Sequence, residues 1–299
     1  MTTALITGGA GFVGGYLREH LRAQGWETAS FDLRDGHDVR SYEQVRFAVD
    51  ALQPDYVFHL AAQAYVAESG MDPERTLAVN VTGTHNLLLA LRNTGCRARV
   101  LLAGTSEEYG YEHQPGPEVT EDSPTRPTTA YGTSKLAATH LGLVYAQAYG
   151  MPIVVTRAFN HTGPGRPPQY ADSAFARRVV AVERGQAAVV AHGNLEAVRN
   201  YTDVRDIVRA YRLAIDLPSG IYNLCSDYTV PMAWILNTLL GAAEGTVPTR
   251  QDDALWRPSG SAVFHPPSAV RFHALTGWKP QIPLEQTLAE VLDYWRGQP

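Results

Sequence analysis

The chain has 299 residues, enough for one large or two ordinary domains. Hydrophobic residues make up 44% and charged residues 18%, which excludes wholesale disorder. The formal net charge is −5 and no basic run occurs, so we expect no nucleic-acid partner. No secretory signal pattern and no apolar stretch of membrane-spanning length is visible, so we expect a cytoplasmic protein without membrane contact. Cys96 and Cys225 lie far apart without Cys/His clustering, so we expect no metal site.

The first 160 residues alternate short β-branched runs with longer amphipathic stretches. Val13, Leu17 and Leu21 recur at four-residue spacing, which is typical of a helix with one apolar face. Because parallel strands need right-handed crossovers, this alternation predicts an α/β fold with a doubly wound parallel sheet. The predicted strands are residues 4–7, 28–32, 56–60, 100–104 and 153–159.

The pattern changes after residue 160. The turn-rich segment 163–168 is followed by a predicted helix near 172–184 and a short strand near 188–191. A last amphipathic helix is predicted at 284–295. These features predict two domains, 1–160 and 161–299, with segment 202–225 returning to the first sheet.

Three glycines, Gly8, Gly11 and Gly14, follow the first predicted strand where a helix must begin. A backbone without Cβ atoms lets a pyrophosphate approach, and the N–H groups of the helix N-terminus hold its charge. A tight turn before a helix is the alternative, but the position after the first strand favours a dinucleotide. We therefore expect the cofactor to contact Gly8, Gly11, Phe12, Val13 and Gly14.

Asp32 ends the second predicted strand, where a carboxylate can accept both hydroxyls of the adenosine ribose and repel a 2′-phosphate. This favours NAD(H). Arg34 could instead pair with a 2′-phosphate and admit NADP(H), or it could be a solvated surface charge. Asp38 and Val39 are expected to flank the adenine.

Tyr131 and Lys135 place a phenol and an ammonium four residues apart on one helix face. A nearby positive charge stabilises phenolate, so we expect Lys135 to lower the pKa of Tyr131 and make it a usable proton carrier. The pattern alone also fits an exposed helix face. Its position downstream of a dinucleotide loop favours a catalytic pair.

Residues 105–108 lie at the carboxyl end of the fourth predicted strand, where open parallel sheets bind ligands. Thr105 can donate a hydrogen bond to a substrate oxygen and orient Tyr131. Glu107 and Glu108 are either a catalytic base with an orienting group or an acidic pair at a helix start. We favour an active-site position for Glu107 and a structural role for Glu108.

Together these residues resemble the extended short-chain dehydrogenase/reductases, which include nucleotide-sugar epimerases, dehydratases and 4-keto reductases. The shared motifs are the glycine loop with Thr7, Asp32, residues 59–62, Asn80, residues 105–107 and the Tyr131/Lys135 pair. The resemblance implies a Rossmann-like dinucleotide-binding domain, a smaller C-terminal α/β domain for a nucleotide sugar, and a Thr105–Tyr131–Lys135 triad. It also implies cofactor contacts from Leu60, Ala61 and Ala62.

Within that family, residues 157–165 and 193–206 are most similar to GDP-4-keto-6-deoxy-D-mannose reductases. The substrate contacts implied by the resemblance are Thr105, Ser106, Glu107, Asn160, Arg177 or its neighbour Arg178, Arg199 and Arg257. For each arginine a surface ion pair is the alternative. The residues after Pro258 depart from the family pattern, so the resemblance says least about the nucleotide base.

The expected activity is reduction of the C4 ketone of a 4-keto-6-deoxy nucleotide sugar by NAD(P)H. A 4,6-dehydratase is the first alternative, because Ser106 and Glu107 also fit that subclass, and a 4-epimerase that keeps one NAD bound is the next. A non-catalytic dinucleotide sensor is disfavoured by the complete catalytic triad.

The resemblance also implies a homodimer that packs through the helix beginning near residue 130. Its apolar residues Leu136, Leu141 and Val144 would then lie at the interface, or would otherwise belong to the core of one chain.

Overall fold

The computed structural model describes residues 1–110, 118–255 and 265–299. In its first half, strands and helices alternate. They are β1 (Thr3–Thr7), α1 (Phe12–Ala23), β2 (Glu27–Phe31), α2 (Tyr42–Leu52), β3 (Tyr56–His59), α3 (Val66–Met71), α4 (Pro73–Leu77), α5 (Gly83–Asn93), β4 (Arg99–Thr105), α6 (Ala130–Tyr149) and β5 (Ile153–Ala158). A π-helical turn, Ala78–Thr82, precedes α5, and a 3-10 turn, Ser106–Glu108, follows β4.

The second half has shorter strands. Its elements are β6 (Asn160–Thr162), α7 (Ala171–Glu183), β7 (Val190–His192), β8 (Val198–Asp203), α8 (Val204–Ala214), β9 (Gly220–Leu224), β10 (Thr229–Pro231), α9 (Met232–Gly241), β11 (Thr249–Gln251), α10 (Val270–Thr276) and α11 (Leu284–Arg296).

A six-stranded parallel sheet in the order β2-β1-β3-β4-β5-β9 forms the centre of the larger part. The doubly wound α/β fold predicted from the sequence is therefore confirmed. The strand register places Thr7 opposite His59 and Thr105 opposite Ala158. The carboxyl ends of β1, β3, β4 and β5 thus lie along one edge of the sheet, and the candidate catalytic residues follow these ends.

Apolar residues on both faces of this sheet hold the helices in place. Leu17 and Leu21 of α1 are fully buried, as are Leu87 and Leu91 of α5. They belong to two separate core clusters, one on each face of the sheet. Each fully buried leucine contributes about 1.5–3 kcal/mol by leaving water, so the four-residue spacing in the sequence determines which helix face packs on the sheet.

The chain leaves the large sheet at Phe159 and enters a smaller three-stranded sheet, ordered β10-β8-β6. Helices α7, α9 and α11 pack with this sheet around a third core cluster. Strand β9 then returns to the large sheet beside β5, and α8 packs on α1. The domain boundary at residue 160 remains a prediction, because the connections cross between the two parts more than once.

None of the helices described is both long enough and apolar enough to cross a membrane.

Candidate active site

The glycine-rich loop between β1 and α1 packs closely against its own backbone and against the segment after β3. Gly8 has φ +72°, and a Cβ there would lie 2.8 Å from the Ala61 nitrogen. A Cβ at Gly14 would lie 2.2 Å from the Gly8 carbonyl oxygen. Side chains at either position would collide with backbone, so the glycines keep the loop tight against the N-terminus of α1. This arrangement fits a dinucleotide pyrophosphate.

Asp32 and Arg34 lie beside this loop. The Asp32 carboxylate accepts hydrogen bonds from the backbone N–H groups of Ala10 and Arg34, at 3.2 and 2.9 Å. The Arg34 guanidinium donates to the Ala10 carbonyl oxygen at 2.7 Å. Both groups that bear on the choice between NAD and NADP are therefore fixed at the same loop.

The other residues predicted to contact the cofactor differ in their surroundings. The Asp38 carboxylate pairs with Arg40 at 2.6 Å, which lowers the pKa of Asp38, whereas Val39 is buried beneath Gly83. Leu60, Ala61 and Ala62 follow β3 and are partly buried beside the loop. Phe12 and Val13 begin α1.

A cleft of about 320 Å³ lies next to the loop, lined in part by Gly11, Phe12, Arg34 and Pro164. The Tyr16 hydroxyl donates to the Pro164 carbonyl oxygen at 2.8 Å. The glycine-rich loop is therefore tied to the segment that leads into the smaller part.

Thr105 is the last residue of β4 and caps the 3-10 turn that follows. Its hydroxyl accepts a hydrogen bond from the Glu107 N–H at 3.3 Å, while the Glu108 carboxylate accepts one from the Thr105 N–H at 3.0 Å. Two otherwise unpaired donors are satisfied reciprocally, as in a capping box. The turn therefore holds Thr105 rigidly at the edge of the sheet.

Tyr131 lies in the first turn of α6, within interaction range of the Thr105 side chain. Burial raises the pKa of Tyr131 above its ordinary value, and the interaction with Thr105 acts in the opposite direction. The predicted lowering of this pKa by Lys135 is therefore wrong for the protein alone. The sequence showed the helical spacing but not how deeply the phenol is buried.

Lys135 lies one turn further along α6 and is 6% exposed. Burial lowers the pKa of Lys135 to about 8, and the charge of Glu108 raises it. The Lys135 ammonium also affects His59 of β3. Burial is the larger cause and the Lys135 charge the smaller, and together they lower the pKa of His59 to about 3. Lys135 is therefore mostly cationic at neutral pH, beside a neutral imidazole.

The start of α6 is held by a buried hydrogen-bond network. The Ser134 hydroxyl donates to the Tyr131 carbonyl oxygen at 2.7 Å and accepts from the Asn80 side-chain amide at 2.9 Å. Asn80 also bonds the backbone of Gln63 in both directions. The helix that carries Tyr131 and Lys135 is thus fixed to the segment that follows β3.

Glu107 is partly buried, and burial raises its pKa while the charge of Arg199 lowers it. Arg199 on β8 is half-buried, and its guanidinium donates to the Val198 carbonyl oxygen at 2.7 Å. A carboxyl group on the catalytic turn and a guanidinium from the smaller part therefore interact electrostatically. Ser106 is buried in the same turn, and Asn160 is half-buried at the start of β6.

The two neighbouring arginines of α7 have different environments. Arg177 is exposed, with its guanidinium 5.9 Å from the ring centre of Trp295 in α11. Arg178 is half-buried and donates to the Ala191 carbonyl oxygen of β7 at 2.9 Å. Arg178 is therefore the arginine that faces a strand of the smaller part, and the phosphate contact predicted for Arg177 or Arg178 stays a prediction. Arg257 lies outside the described residues.

The sequence analysis missed Tyr170, which caps α7. Its ring packs edge to face with Tyr65, with centroids 5.9 Å apart, and the Arg166 guanidinium lies 4.4 Å from its centre. The charge that Tyr170 would carry as phenolate raises the pKa of Tyr131, so the two phenols are near neighbours. The signal in the sequence that could have identified Tyr170 is its position shortly after the turn-rich segment 163–168.

Glu108 is fully buried and forms a 2.8 Å ion pair with Arg157 of β5. It lies behind Thr105, so it holds the turn in place as the sequence analysis favoured. Across the described ranges, no three His, Cys, Asp or Glu side chains come together as a metal site would require.

Comparison with known proteins agrees with this geometry. Residues 4–225 match the model of the NAD dependent epimerase/dehydratase family. The chain is 32% identical to GDP-6-deoxy-D-mannose reductase of Pseudomonas aeruginosa over 98% of its length and 97% of that protein.

Two solved structures are also similar over 99% of both chains. The structure of RMD from Pseudomonas aeruginosa complexed with NADPH has 31% identity and a TM-score of 0.89. The UDP-glucose 4-epimerase of Thermus thermophilus in complex with NAD has 30% identity and a TM-score of 0.85. The chain belongs to the NAD dependent epimerase/dehydratase family, whose relatives here are nucleotide-sugar enzymes that use a nicotinamide cofactor.

Proposed function

We propose that this protein reduces the C4 ketone of a 4-keto-6-deoxy nucleotide sugar, of the GDP-4-keto-6-deoxy-mannose type. The observation that carries the proposal is that the Tyr131 phenol interacts with the Thr105 side chain at the end of β4, one helical turn before the buried Lys135 ammonium. Similarity to the GDP-6-deoxy-D-mannose reductase over nearly the whole chain supports this substrate class.

The glycine loop would hold the pyrophosphate of the cofactor, and Asp32 would accept hydrogen bonds from its ribose. The reduced nicotinamide supplies the hydride. Tyr131 donates its phenolic proton to the oxygen that becomes the C4 hydroxyl. Because burial raises the pKa of Tyr131, the phenol stays protonated at neutral pH, which is the form that reduction requires.

Thr105 and Lys135 complete the proton transfer. The Thr105 hydroxyl orients the phenol and steadies the substrate oxygen. The Lys135 ammonium stabilises the phenolate that remains after Tyr131 has given up its proton. Orientation and proton supply together account for this part of the rate acceleration, the latter by about 10²–10⁴-fold.

Arg199 and Arg178 would bind the diphosphate, because guanidinium forks pair well with phosphate oxygens. Asn160 and Ser106 would contact the sugar. Glu107, on the catalytic turn, would contact the substrate near Arg199. Arg257 belongs to the same expected contact set on the resemblance alone.

A 4,6-dehydratase is the second candidate, and the position of Glu107 is the observation that favours it. A dehydratase needs a base for the C5 proton, and Glu107 is a partly buried carboxyl group that interacts electrostatically with Arg199. The 4-epimerase alternative has support from the NAD-bound epimerase structure.

The amount of reduced cofactor consumed per product formed distinguishes these activities. The purified protein is incubated with GDP-mannose, its 4-keto-6-deoxy derivative, and UDP- and dTDP-sugars, with NADH or NADPH followed by near-ultraviolet absorbance. A reductase consumes reduced cofactor in an amount equal to the product. A dehydratase or an epimerase forms product without net consumption, and binding without turnover on any sugar would contradict all three.

We propose that the cofactor is NAD(H) by virtue of Asp32, with NADP(H) accepted through Arg34. The carboxylate at the ribose position disfavours a 2′-phosphate, while the exposed Arg34 head lies at the same loop. Arg34→Ala should raise the KM for NADPH about tenfold and leave that for NADH nearly unchanged, as expected for a lost charge-assisted hydrogen bond. Equal changes for both cofactors would contradict the role of Arg34.

We propose a cytoplasmic homodimer that packs through α6. Val144 is 55% exposed on this helix, whereas Leu141 packs against the core of its own chain. Val144→Glu should convert a dimer to a monomer in sedimentation. A wild-type protein that stays monomeric at every concentration would disprove the dimer.

A further inference from the structure

The Glu108 carboxylate uses both of its oxygens to join three elements behind the catalytic turn. Oε1 accepts hydrogen bonds from the Thr105 N–H at 3.0 Å and from the Thr139 hydroxyl of α6 at 3.2 Å. Oε2 accepts from Arg157 Nε of β5 at 2.8 Å. The side chain is fully buried, so these bonds replace all of its water contacts.

Gly104 makes room for this carboxylate. A Cβ at Gly104 would lie 2.6 Å from Glu108 Oε1 and 2.8 Å from the Thr156 carbonyl oxygen. Any larger residue would force the carboxylate away from the Thr105 N–H. The glycine and the glutamate four residues later therefore form one structural unit at the end of β4.

The same carboxylate lies on the Lys135 side of α6. Thr139 and Lys135 are four residues apart and share a helix face, and the Thr139 hydroxyl bonds Glu108 directly. A buried ammonium needs a nearby anion to stay charged.

The charged and titratable groups on α6 and on its neighbouring elements are His59 of β3, Glu107 and Glu108 of the turn, Tyr131 of α6 and Arg157 of β5. Of these groups, His59 and Glu108 interact electrostatically with Lys135. His59 and Tyr131 are neutral at pH 7. Only Glu108 acts as a counter-charge to the ammonium among the groups the structure describes, and its interaction opposes the pKa decrease caused by burial.

We propose that Glu108 is a positioning residue of the active site, which fixes Thr105 through its backbone and keeps Lys135 cationic through its charge. The effect of this role on catalysis rests on the proposed reductase activity. Its electrostatic part concerns Lys135 alone and can be measured without any substrate.

The chain has two lysines, Lys135 and Lys279, so lysine-selective ¹³C NMR resolves the Lys135 titration directly. Glu108→Gln keeps an oxygen acceptor for the Thr105 N–H but removes the charge. The Lys135 midpoint should shift below the wild-type value of about 8 by about one unit. The alkaline limb of kcat should move to lower pH by the same amount.

Glu121→Gln is the matched control. Glu121 is also a buried carboxylate that accepts a backbone N–H, from Asn223 at 2.9 Å, and lies 3.8 Å from an arginine, Arg271. It should lose stability without moving the Lys135 midpoint. The same midpoint in both variants overturns the proposal.

Glu108→Asp tests the positioning role if Glu108→Gln does not fold. The shorter side chain keeps its charge but moves away from the Thr105 N–H. We expect a kcat decrease of about tenfold with the Lys135 midpoint near the wild-type value, whereas unchanged kcat would overturn the positioning role. A wild-type protein that reduces no nucleotide sugar would contradict the proposed function, while the NMR result would still decide the electrostatic role of Glu108.

Discussion

The catalytic residues and the proposed substrate contacts lie on elements that are built differently. Thr105, Tyr131 and Lys135, called the catalytic side, lie on a seven-residue strand and a 20-residue helix that pack into the core of the large sheet. Asn160, Arg178 and Arg199, called the substrate side, are proposed contacts in the smaller part, where Asn160 begins a three-residue strand and all three side chains are half-buried. Thr105 and Lys135 are buried and Tyr131 is partly buried, so the catalytic side is less open to solvent than the substrate side.

This difference indicates that proton transfer and nucleotide-sugar binding are carried out by separate parts of the molecule. Burial shifts the pKa values of Tyr131 and Lys135, so the catalytic side supplies proton chemistry that does not depend on the nucleotide. The substrate side presents guanidinium groups that suit a diphosphate. A family whose members act on different nucleotide sugars can therefore keep the first side and vary the second.

The largest effect is expected for Tyr131→Phe, which removes the proton donor of the catalytic side. We predict that kcat falls by about 10²–10⁴-fold while cofactor affinity stays nearly unchanged. Tyr145→Phe is the control, because that tyrosine lies on the same helix but packs in the core. Turnover and NADPH fluorescence titration measure both quantities, and activity retained in Tyr131→Phe would refute the catalytic side as defined here.

Gly14→Ala should have the next largest effect, because the new methyl group would overlap the Gly8 carbonyl oxygen. Forcing the loop apart costs about 1–3 kcal/mol, which corresponds to about 5- to 150-fold in cofactor affinity. Gly241→Ala is the control, since a Cβ there meets no atom within 4 Å. Isothermal titration with NADH and NADPH measures the change, and equal affinities in both variants would show that the loop does not bind the cofactor.

The catalytic side should also lose activity above pH 8. Burial lowers the pKa of Lys135 from 10.5 to about 8, so kcat should fall about tenfold per pH unit above that value as the ammonium is lost. In this window the unfolded chain binds more protons than the folded one, so the Lys135 contribution to the free energy of unfolding rises with pH. Activity and this stability contribution therefore change in opposite directions.

Lys279→Arg is the control for the pH profile, since Lys279 is exposed and far along the chain from the cleft. It should show the wild-type profile. Parallel measurements of kcat and thermal unfolding from pH 7 to pH 10 distinguish loss of the ammonium from unfolding. A kcat that stays constant through this range would contradict the assigned role of Lys135.

Much of the catalytic side could be predicted from the sequence, because local spacing determines it. Glycines directly after a strand mark the dinucleotide loop, and a four-residue interval puts Tyr131 and Lys135 on one helix face. The raised pKa of Tyr131 could not be predicted, because it depends on burial by elements that are distant in sequence. The same holds for Tyr170, which reaches Tyr131 from the start of α7.

The substrate side was predicted less well because it depends on how short elements pack. The sequence showed two adjacent arginines in one helix, and residues one position apart point about 100° away from each other around the axis. Which one faces the cleft depends on where α7 meets α11 and β7, and both contacts involve residues more than ten positions away. The family resemblance offered either Arg177 or Arg178 for this contact, because it did not determine the helix rotation.

The smallest expected effect concerns Arg177 and Arg178, and it tests whether the substrate side acts on binding alone. Arg178→Ala should raise the KM for the nucleotide sugar about tenfold with kcat nearly unchanged, because a diphosphate contact made equally in the ground state and the transition state affects binding alone. Arg177→Ala, the adjacent control, should change neither, since its guanidinium packs over Trp295. Initial rates over a range of sugar concentrations measure both constants. A KM increase confined to Arg177→Ala would assign the diphosphate contact to Arg177 instead, and a large kcat loss in Arg178→Ala would show that the catalytic and substrate sides are not separable.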